Sequence, residues 1–157
     1  MSQRCGAKEA FELRAEKIEE KKTVDIAIHD FTKRIDDQDN KKKGIFSPMF
    51  TVGDTSLKVC VHPQDWRDDS AEYIAVYLYN EEKENVTATF TVRHASGIES
   101  EVNNGKDEMK PKGGYGDNKF LSHEAYKEWA KDHGDVFKVE LEITLHVEKP
   151  AQWTSNR

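Results

Sequence analysis

Residues 136–147, VFKVELEITLHV, alternate apolar and polar side chains over the eleven positions from Phe137 to Val147. Successive side chains of an extended chain point to opposite faces, so a period of two places the six apolar residues from Phe137 to Val147 on one face. Charged and polar residues, among them Lys138, Glu140 and Glu142, then occupy the other face. The stretch predicts a long antiparallel strand with one dry and one wet face.

The same period recurs upstream of this strand. It is present in VDIAI (24–28), LKVCVH (57–62), AEYIAVYLYN (71–80) and TATFTV (87–92), and turn-forming residues such as those in VGDTS (52–56) separate the runs. A late helix is predicted over 123–133, with Ser122 as its N-cap and Gly134 after its end. Many antiparallel strands with a single late helix predict a mainly β protein, an antiparallel β-sandwich.

Residues 71–80 carry three tyrosines, Tyr73, Tyr77 and Tyr79, on the face opposite Ile74, Val76 and Leu78. Tyrosine suits the wet face of any sheet, and it is also common at the centre of binding interfaces. The pattern by itself leaves both interpretations open.

The N-terminal segment differs from the rest of the chain. Residues 7–22, AKEAFELRAEKIEEKK, are rich in good helix formers, and Phe11, Ala15 and Ile18 recur at helical spacing. We therefore expect an N-terminal amphipathic helix over 1–22, a sandwich over 23–149 and a tail over 150–157. The helix either packs on its own domain or is the end of an oligomerising stalk, with those three apolar residues as the contact stripe.

Composition excludes several classes of function. The 157 residues carry a net charge of −6, which repels a phosphate backbone and an anionic membrane, so a nucleic-acid partner and membrane insertion are not expected. The N-terminus lacks the apolar segment of a signal peptide, and the two cysteines, Cys5 and Cys60, are too few for a disulfide framework. We expect an intracellular protein, cytoplasmic or nuclear.

The sequence contains no recognisable catalytic or metal-binding motif. None of its six histidines stands at metal-ligand spacing from another histidine, cysteine or carboxylate. Cys60, Ser47 and Ser96 lie in no nucleophile motif, and GGYG (113–116) is not followed by the lysine and helix of a phosphate-binding loop. No cofactor, no metal and no enzymatic activity are expected.

Several segments taken in order resemble the MATH domain, the meprin and TRAF-C homology module. They are IAIHDF (26–31), SPMF (47–50), LKVCVHP (57–63), EYIAVYL (72–78), TFTVRHASG (89–97), YGDNKFL (115–121) and FKVELEITLHV (137–147). The resemblance implies a TRAF-like β-sandwich without catalytic activity that holds short, extended segments of partner proteins in a shallow groove. Such domains serve in BTB-containing adaptors of ubiquitin ligases, in TRAF signalling trimers and in a deubiquitinase.

The resemblance also assigns residues to that groove. It places Tyr77 and Tyr115 at positions that often line it, and Tyr73 near them. Asp117 and Ala88 stand where many members carry groove aromatics, and Met109 lies in the bordering loop. The leading hypothesis is peptide recognition, possible alternatives being assembly through the N-terminal segment and, as a third, a carbohydrate platform.

Overall fold

The computed structural model describes residues 8–37, 43–65, 71–102 and 107–156. Two antiparallel five-stranded sheets contain most of these residues. The elements in chain order are β1 (Ala10–His29), α1 (Phe31–Asp36), β2 (Ile45–Phe46), β3 (Phe50–Val52), β4 (Thr55–His62), β5 (Tyr73–Asn80), β6 (Val86–His94), β7 (Glu99–Val102), β8 (Glu108–Met109), β9 (Gly114–Ser122), α2 (His123–His133) and β10 (Val136–Asn156). The predicted antiparallel fold with a helix before the last strand is confirmed.

The first sheet, sheet A, has the strand order β1-β10-β6-β7, and β8 also pairs with β6. Its centre is the strand predicted from VFKVELEITLHV. Leu141 faces Val24 on one neighbour and Val92 on the other. The apolar residues of β10 from Phe137 to Leu145 are buried, so its predicted dry face packs into the core.

The second sheet, sheet B, has the strand order β2-β4-β5-β9, and β3 also pairs with β4. Leu57, Val59 and Val61 of β4 lie on its inner face beside Ile74, Val76 and Leu78 of β5, and all six are buried. The inner faces of the two sheets form one continuous hydrophobic core.

Helix α2 begins and ends where the sequence predicts. The Ser122 side chain accepts a hydrogen bond from the backbone N–H of Ala125, and the N–H of Gly134 donates to Ala130 after the last turn. Tyr126 on its buried face meets the Phe31 ring edge to face at 5.3 Å. Short helix α1, which the sequence analysis did not predict, supplies Phe31 and Ile35 to the core. Neither helix of the described residues is long and apolar enough to cross a membrane.

The helix predicted at the N-terminus is wrong for the described part of that segment, since Ala10–His29 is one strand. It pairs with β10 from Ala10 opposite Asn156 to His29 opposite Val136. Helix propensity is a weak local preference, and a ladder of nineteen paired positions with β10 overrides it. Residues 1–7, with Cys5 and the start of the predicted helix, lie outside the described residues.

The predicted tail is likewise part of a strand as far as Asn156. Within the described residues, β10 pairs with β6 only up to His146, and from Glu148 onward its paired neighbour is β1. Residues 10–17 and 148–156 thus form a two-stranded extension of sheet A, the terminal ribbon. Its register shifts between Arg14 and Glu16, alongside Pro150, which has no N–H to donate to the ladder.

Candidate functional site

The outer face of sheet B is aromatic. Tyr73, Tyr77 and Tyr79 alternate with the buried residues of β5, so they point away from the core and are each half-buried. Phe46 of β2 joins them: its ring meets Tyr79 edge to face at 5.4 Å and remains 50% exposed. Tyr77 and Tyr79 are 6.5 Å apart, centroid to centroid. These four residues are the aromatic face, a stiff apolar surface with polar tips.

Two glycines of β9 make room for the tyrosine rings. Gly116 lies opposite Tyr77 in the ladder, and Gly114 lies opposite Tyr79. A side-chain carbon at Gly116 would overlap the Val76 carbonyl oxygen and come within 2.5 Å of Tyr77 Cδ1. A carbon at Gly114 would come within 2.9 Å of the Tyr79 ring. Because both positions lack a side chain, the rings lie over the backbone of β9.

Tyr77 is held in place by residues beside it. Its hydroxyl donates a hydrogen bond to Asp65 Oδ1 at 3.1 Å, and its ring meets the His62 ring edge to face at 5.6 Å. Asp65 and His62 are both buried. Burial lowers the pKa of His62, although the nearby Asp65 acts in the opposite direction. A fixed ring with an anchored hydroxyl loses little freedom when a ligand covers it.

Lysines border the aromatic face. Lys58 Nζ lies 4.5 Å from the centroid of the Phe46 ring and 2.9 Å from a carboxylate oxygen of Glu81. Lys112 Nζ contacts the same carboxylate at 2.7 Å. Hydrogen bonds from Lys112 and Lys58 lower the pKa of Glu81. The two lysines therefore lie at the border of the aromatic face, and Glu81 balances part of their positive charge.

Strand β9 is the last strand of sheet B on this side, so it presents an edge. Tyr115 and Asp117 lie on the face of β9 opposite to Gly114 and Gly116. Tyr115 faces the buried Leu78, and its hydroxyl donates to the carbonyl oxygen of Glu108 at 2.9 Å. Asp117 faces Val76, and its Oδ1 accepts from the Lys119 N–H at 2.9 Å.

The residues assigned from the resemblance are therefore distributed over different surfaces. Tyr77 and Tyr73 lie on the aromatic face, where Lys119 Nζ stands 5.9 Å from the centroid of the Tyr73 ring. Tyr115 and Asp117 lie beside the same edge strand but on its other face. A ligand along β9 can reach both sets, whereas a ligand on one face of the sheet cannot.

Ala88 and Met109 are not available to a ligand in this structure, because both are fully buried. Ala88 lies on the dry face of β6, opposite Leu145 in sheet A. Met109 fills the core under β8, and its carbonyl oxygen accepts from the Asn80 amide at 2.9 Å. Ala88 is thus a small residue of the core and Met109 a large one on strand β8, so these two assignments are corrected.

The contact stripe expected on the N-terminal helix does not form either. On strand β1, Phe11 and Ala15 share one face by the alternation of side chains, and Ile18 belongs to the other. Ile18 is half-buried opposite Val147, whereas Phe11 is exposed.

Sequence analysis missed Phe46 and the two glycines. The usable signal was glycine at alternate positions, 114 and 116, in a segment expected to pair with a tyrosine-bearing strand.

Cys60 lies under the aromatic face but is buried, and burial raises the pKa of its thiol to about 12, so the reactive thiolate is scarce at neutral pH. Among the residues that the structure describes, no three histidine, cysteine, aspartate or glutamate side chains are grouped to hold a metal ion.

Comparison with known proteins agrees with the geometry. A family model described as the MATH domain matches residues 23–143, from the middle of β1 into β10. A search among curated proteins found no match. MATH domains are generally protein-interaction modules. Since the match covers well over half of the sequence, the chain belongs to the MATH domain family.

Proposed function

We propose that this domain binds a short, extended segment of a partner protein by adding it as a strand along β9. The observation that carries the proposal is the pair of glycines in β9, over which the rings of Tyr77 and Tyr79 lie. An edge strand offers unpaired N–H and C=O groups for main-chain hydrogen bonds, and the adjacent rings offer apolar area.

Side-chain alternation explains why the site has two faces. Successive residues of an added strand point to opposite sides of the sheet. Those on the outer side approach Tyr77 and Tyr79, and those on the inner side approach Tyr115 and Asp117. The outer positions favour apolar or aromatic residues, and Asp117 favours a basic or hydrogen-bonding residue.

The bound segment belongs, in this proposal, to a protein that a larger assembly must select. The resemblance supports two such assemblies, a ubiquitin ligase in which the domain chooses the substrate and a TRAF-like signalling complex in which it chooses a receptor tail. If Tyr77→Ala abolishes ubiquitin conjugation of a captured partner, the ligase is favoured. If the variant loses capture but conjugation of the partner is unchanged, the signalling role is favoured.

Peptide display on the intact domain tests the binding proposal. We expect the selected peptides to share a motif with period two and to lose at least about tenfold in affinity on Tyr77→Ala, because a central aromatic anchor is removed. Tyr77→Phe keeps the ring and removes the hydroxyl that donates to Asp65, so it should retain most of the affinity.

Met49→Ala is the matched control, since Met49 is an exposed apolar residue outside the aromatic face. Selection without any shared motif, or affinity that falls equally for Tyr77→Ala and Met49→Ala, would contradict the proposal. Thermal unfolding of each variant separates lost binding from lost folding.

A further inference from the structure

The terminal ribbon exposes three large apolar side chains. Phe11, Leu13 and Trp153 are 59%, 53% and 68% exposed. Leu13 lies directly opposite Trp153 in the ladder, and Phe11 is two positions from Leu13, so all three share one face of the ribbon. Residues separated by about 140 positions in the sequence thus form one apolar patch.

The ribbon also leaves a strand edge open. Strand β1 is the outermost strand of sheet A. Charged side chains oppose the pairing of another strand along most of that edge, since six of the seven residues from 16 to 22 are Glu or Lys. Residues 10–15, AFELRA, carry only Glu12 and Arg14. A two-stranded ribbon is marginally stable by itself, so an additional strand paired with residues 10–15 would stabilise it.

We propose that a second copy of the chain occupies this edge, with β1 pairing antiparallel to β1 of the copy around Leu13. Side chains that face each other across an antiparallel pair point to the same side of the sheet. A twofold axis perpendicular to the sheet keeps a given side chain on the same side of the sheet in both copies. A symmetric pairing must therefore be centred on one residue, which lies opposite the same residue of the second copy.

Charge and polarity together select Leu13 as the centre. In that register Leu13 faces Leu13, Phe11 faces Ala15, and Glu12 faces Arg14 of the second copy. Opposite charges therefore meet twice by symmetry, and the apolar residues meet apolar residues.

Other centres within residues 10–15, or next to them, are worse. Centring on Phe11 sets Leu13 opposite Glu9 and Arg14 opposite Lys8, and centring on Ala10 sets Phe11 opposite Glu9. Centring on Glu12, Arg14 or Glu16 sets a like charge directly opposite itself. Centring on Ala15 sets Leu13 opposite Lys17 and Phe11 opposite Glu19. The paired ribbons would form a four-stranded sheet in which Leu13 and both Trp153 residues lie in one apolar row.

Charge reversal tests the register. In sedimentation equilibrium on the full chain, we expect a concentration-dependent dimer that Glu12→Arg weakens at least about tenfold at low salt, because two attractive pairs become repulsive. Arg14→Glu should do the same. The double variant Glu12→Arg with Arg14→Glu should restore the dimer, since it exchanges the two charges across the axis.

Both side chains are exposed, so these changes should leave the fold intact, as thermal unfolding would verify. Glu101→Arg, an exposed charge reversal on β7, is the matched control. A monomer at every concentration up to about 1 mM, or a dimer that both single variants leave unchanged, would overturn the proposal.

Cysteine cross-linking provides a second measurement. In a Cys5→Ser background, Leu13→Cys places two thiols directly opposite each other, and mild oxidation with diamide should join the copies. Ala15→Cys places each thiol opposite Phe11 and should cross-link far less. Equal cross-linking at both positions would contradict the register, and cross-linking at Ala15→Cys alone would move the centre to Ala15.

Discussion

Gly116 of β9 lies close to both the backbone of β5 and the Tyr77 side chain of the aromatic face. A side-chain carbon there would overlap the Val76 carbonyl oxygen, which is backbone and cannot rotate away. We predict that Gly116→Ala lowers the free energy of unfolding by about 1–3 kcal/mol through overpacking. Urea denaturation measures the change.

Gly113→Ala is the control for that substitution. Its nearest neighbour would be the Lys110 carbonyl oxygen at 3.1 Å, a tight but tolerable contact. Equal stability losses at the two glycines would show that Gly116 has no special role in positioning Tyr77.

His94 predicts a pH dependence of stability. It is buried between the rings of Trp129 and Phe137, at 4.7 Å and 5.3 Å, and its Nδ1 accepts a hydrogen bond from the Ser96 N–H at 3.0 Å. Burial lowers its pKa from 6.5 to about 4. The unfolded chain therefore binds a proton more readily than the folded one between these two values.

Protonation of His94 favours the unfolded chain as the pH falls. The contribution of uncharged His94 to the free energy of unfolding is fully present above pH 6.5 and is lost as the pH drops toward 4. The loss between pH 7 and pH 5 is about 2 kcal/mol. The lowered pKa values of His62 and His123 act in the same direction. His94→Gln should reduce the slope of unfolding free energy against pH in this range. An unchanged slope for His94→Gln would disprove the assignment.

The long β1 strand is the element that local sequence preference describes least well. We predict that amide exchange by NMR shows alternating protection along 16–28, because an edge strand bonds only every second N–H to its neighbour β10. An amphipathic helix would protect consecutive amides instead. Continuous protection over 10–22 would contradict the strand.

Particular elements show how far the sequence predicts this fold. Strands β4, β5, β6 and the first half of β10 follow from a period of two, because each buries the alternating apolar residues of its inner face. Helix α2 follows from its caps. The ribbon does not follow, since its pairing joins residues 10–17 to 148–156 and nothing local in AFELRAEK opposes a helix.

The candidate site was predictable to a similar degree. Alternation around Ile74 places Tyr73, Tyr77 and Tyr79 on the wet face, and the structure agrees. Burial of Ala88 agrees with the alternation in TATFTV, which places it on the face of Phe90 and Val92, whereas burial of Met109 depends on how the core packs around β8. The role of Gly116 depends on its register with Tyr77, which a single sequence does not specify.

Two of the strand edges in the molecule carry the two proposals. Strand β9 is an edge of sheet B and carries the proposed peptide site, whereas β1 is an edge of sheet A and carries the proposed self-association site. Because the two proposals use separate strands, pairing through β1 leaves β9 free. A paired molecule would then present two peptide sites and bind a bivalent partner more tightly than a monovalent one.

Backbone N-methylation of a display-selected peptide is the most direct test of strand addition at β9. Each variant removes one N–H donor, and binding to the intact domain is measured by calorimetry. Because an added strand bonds alternate N–H groups to its neighbour, methylation at every second residue should weaken binding at least about tenfold, and methylation between them should have little effect. Uniform tolerance of N-methylation along the peptide would mean that the segment does not bind as a strand on β9.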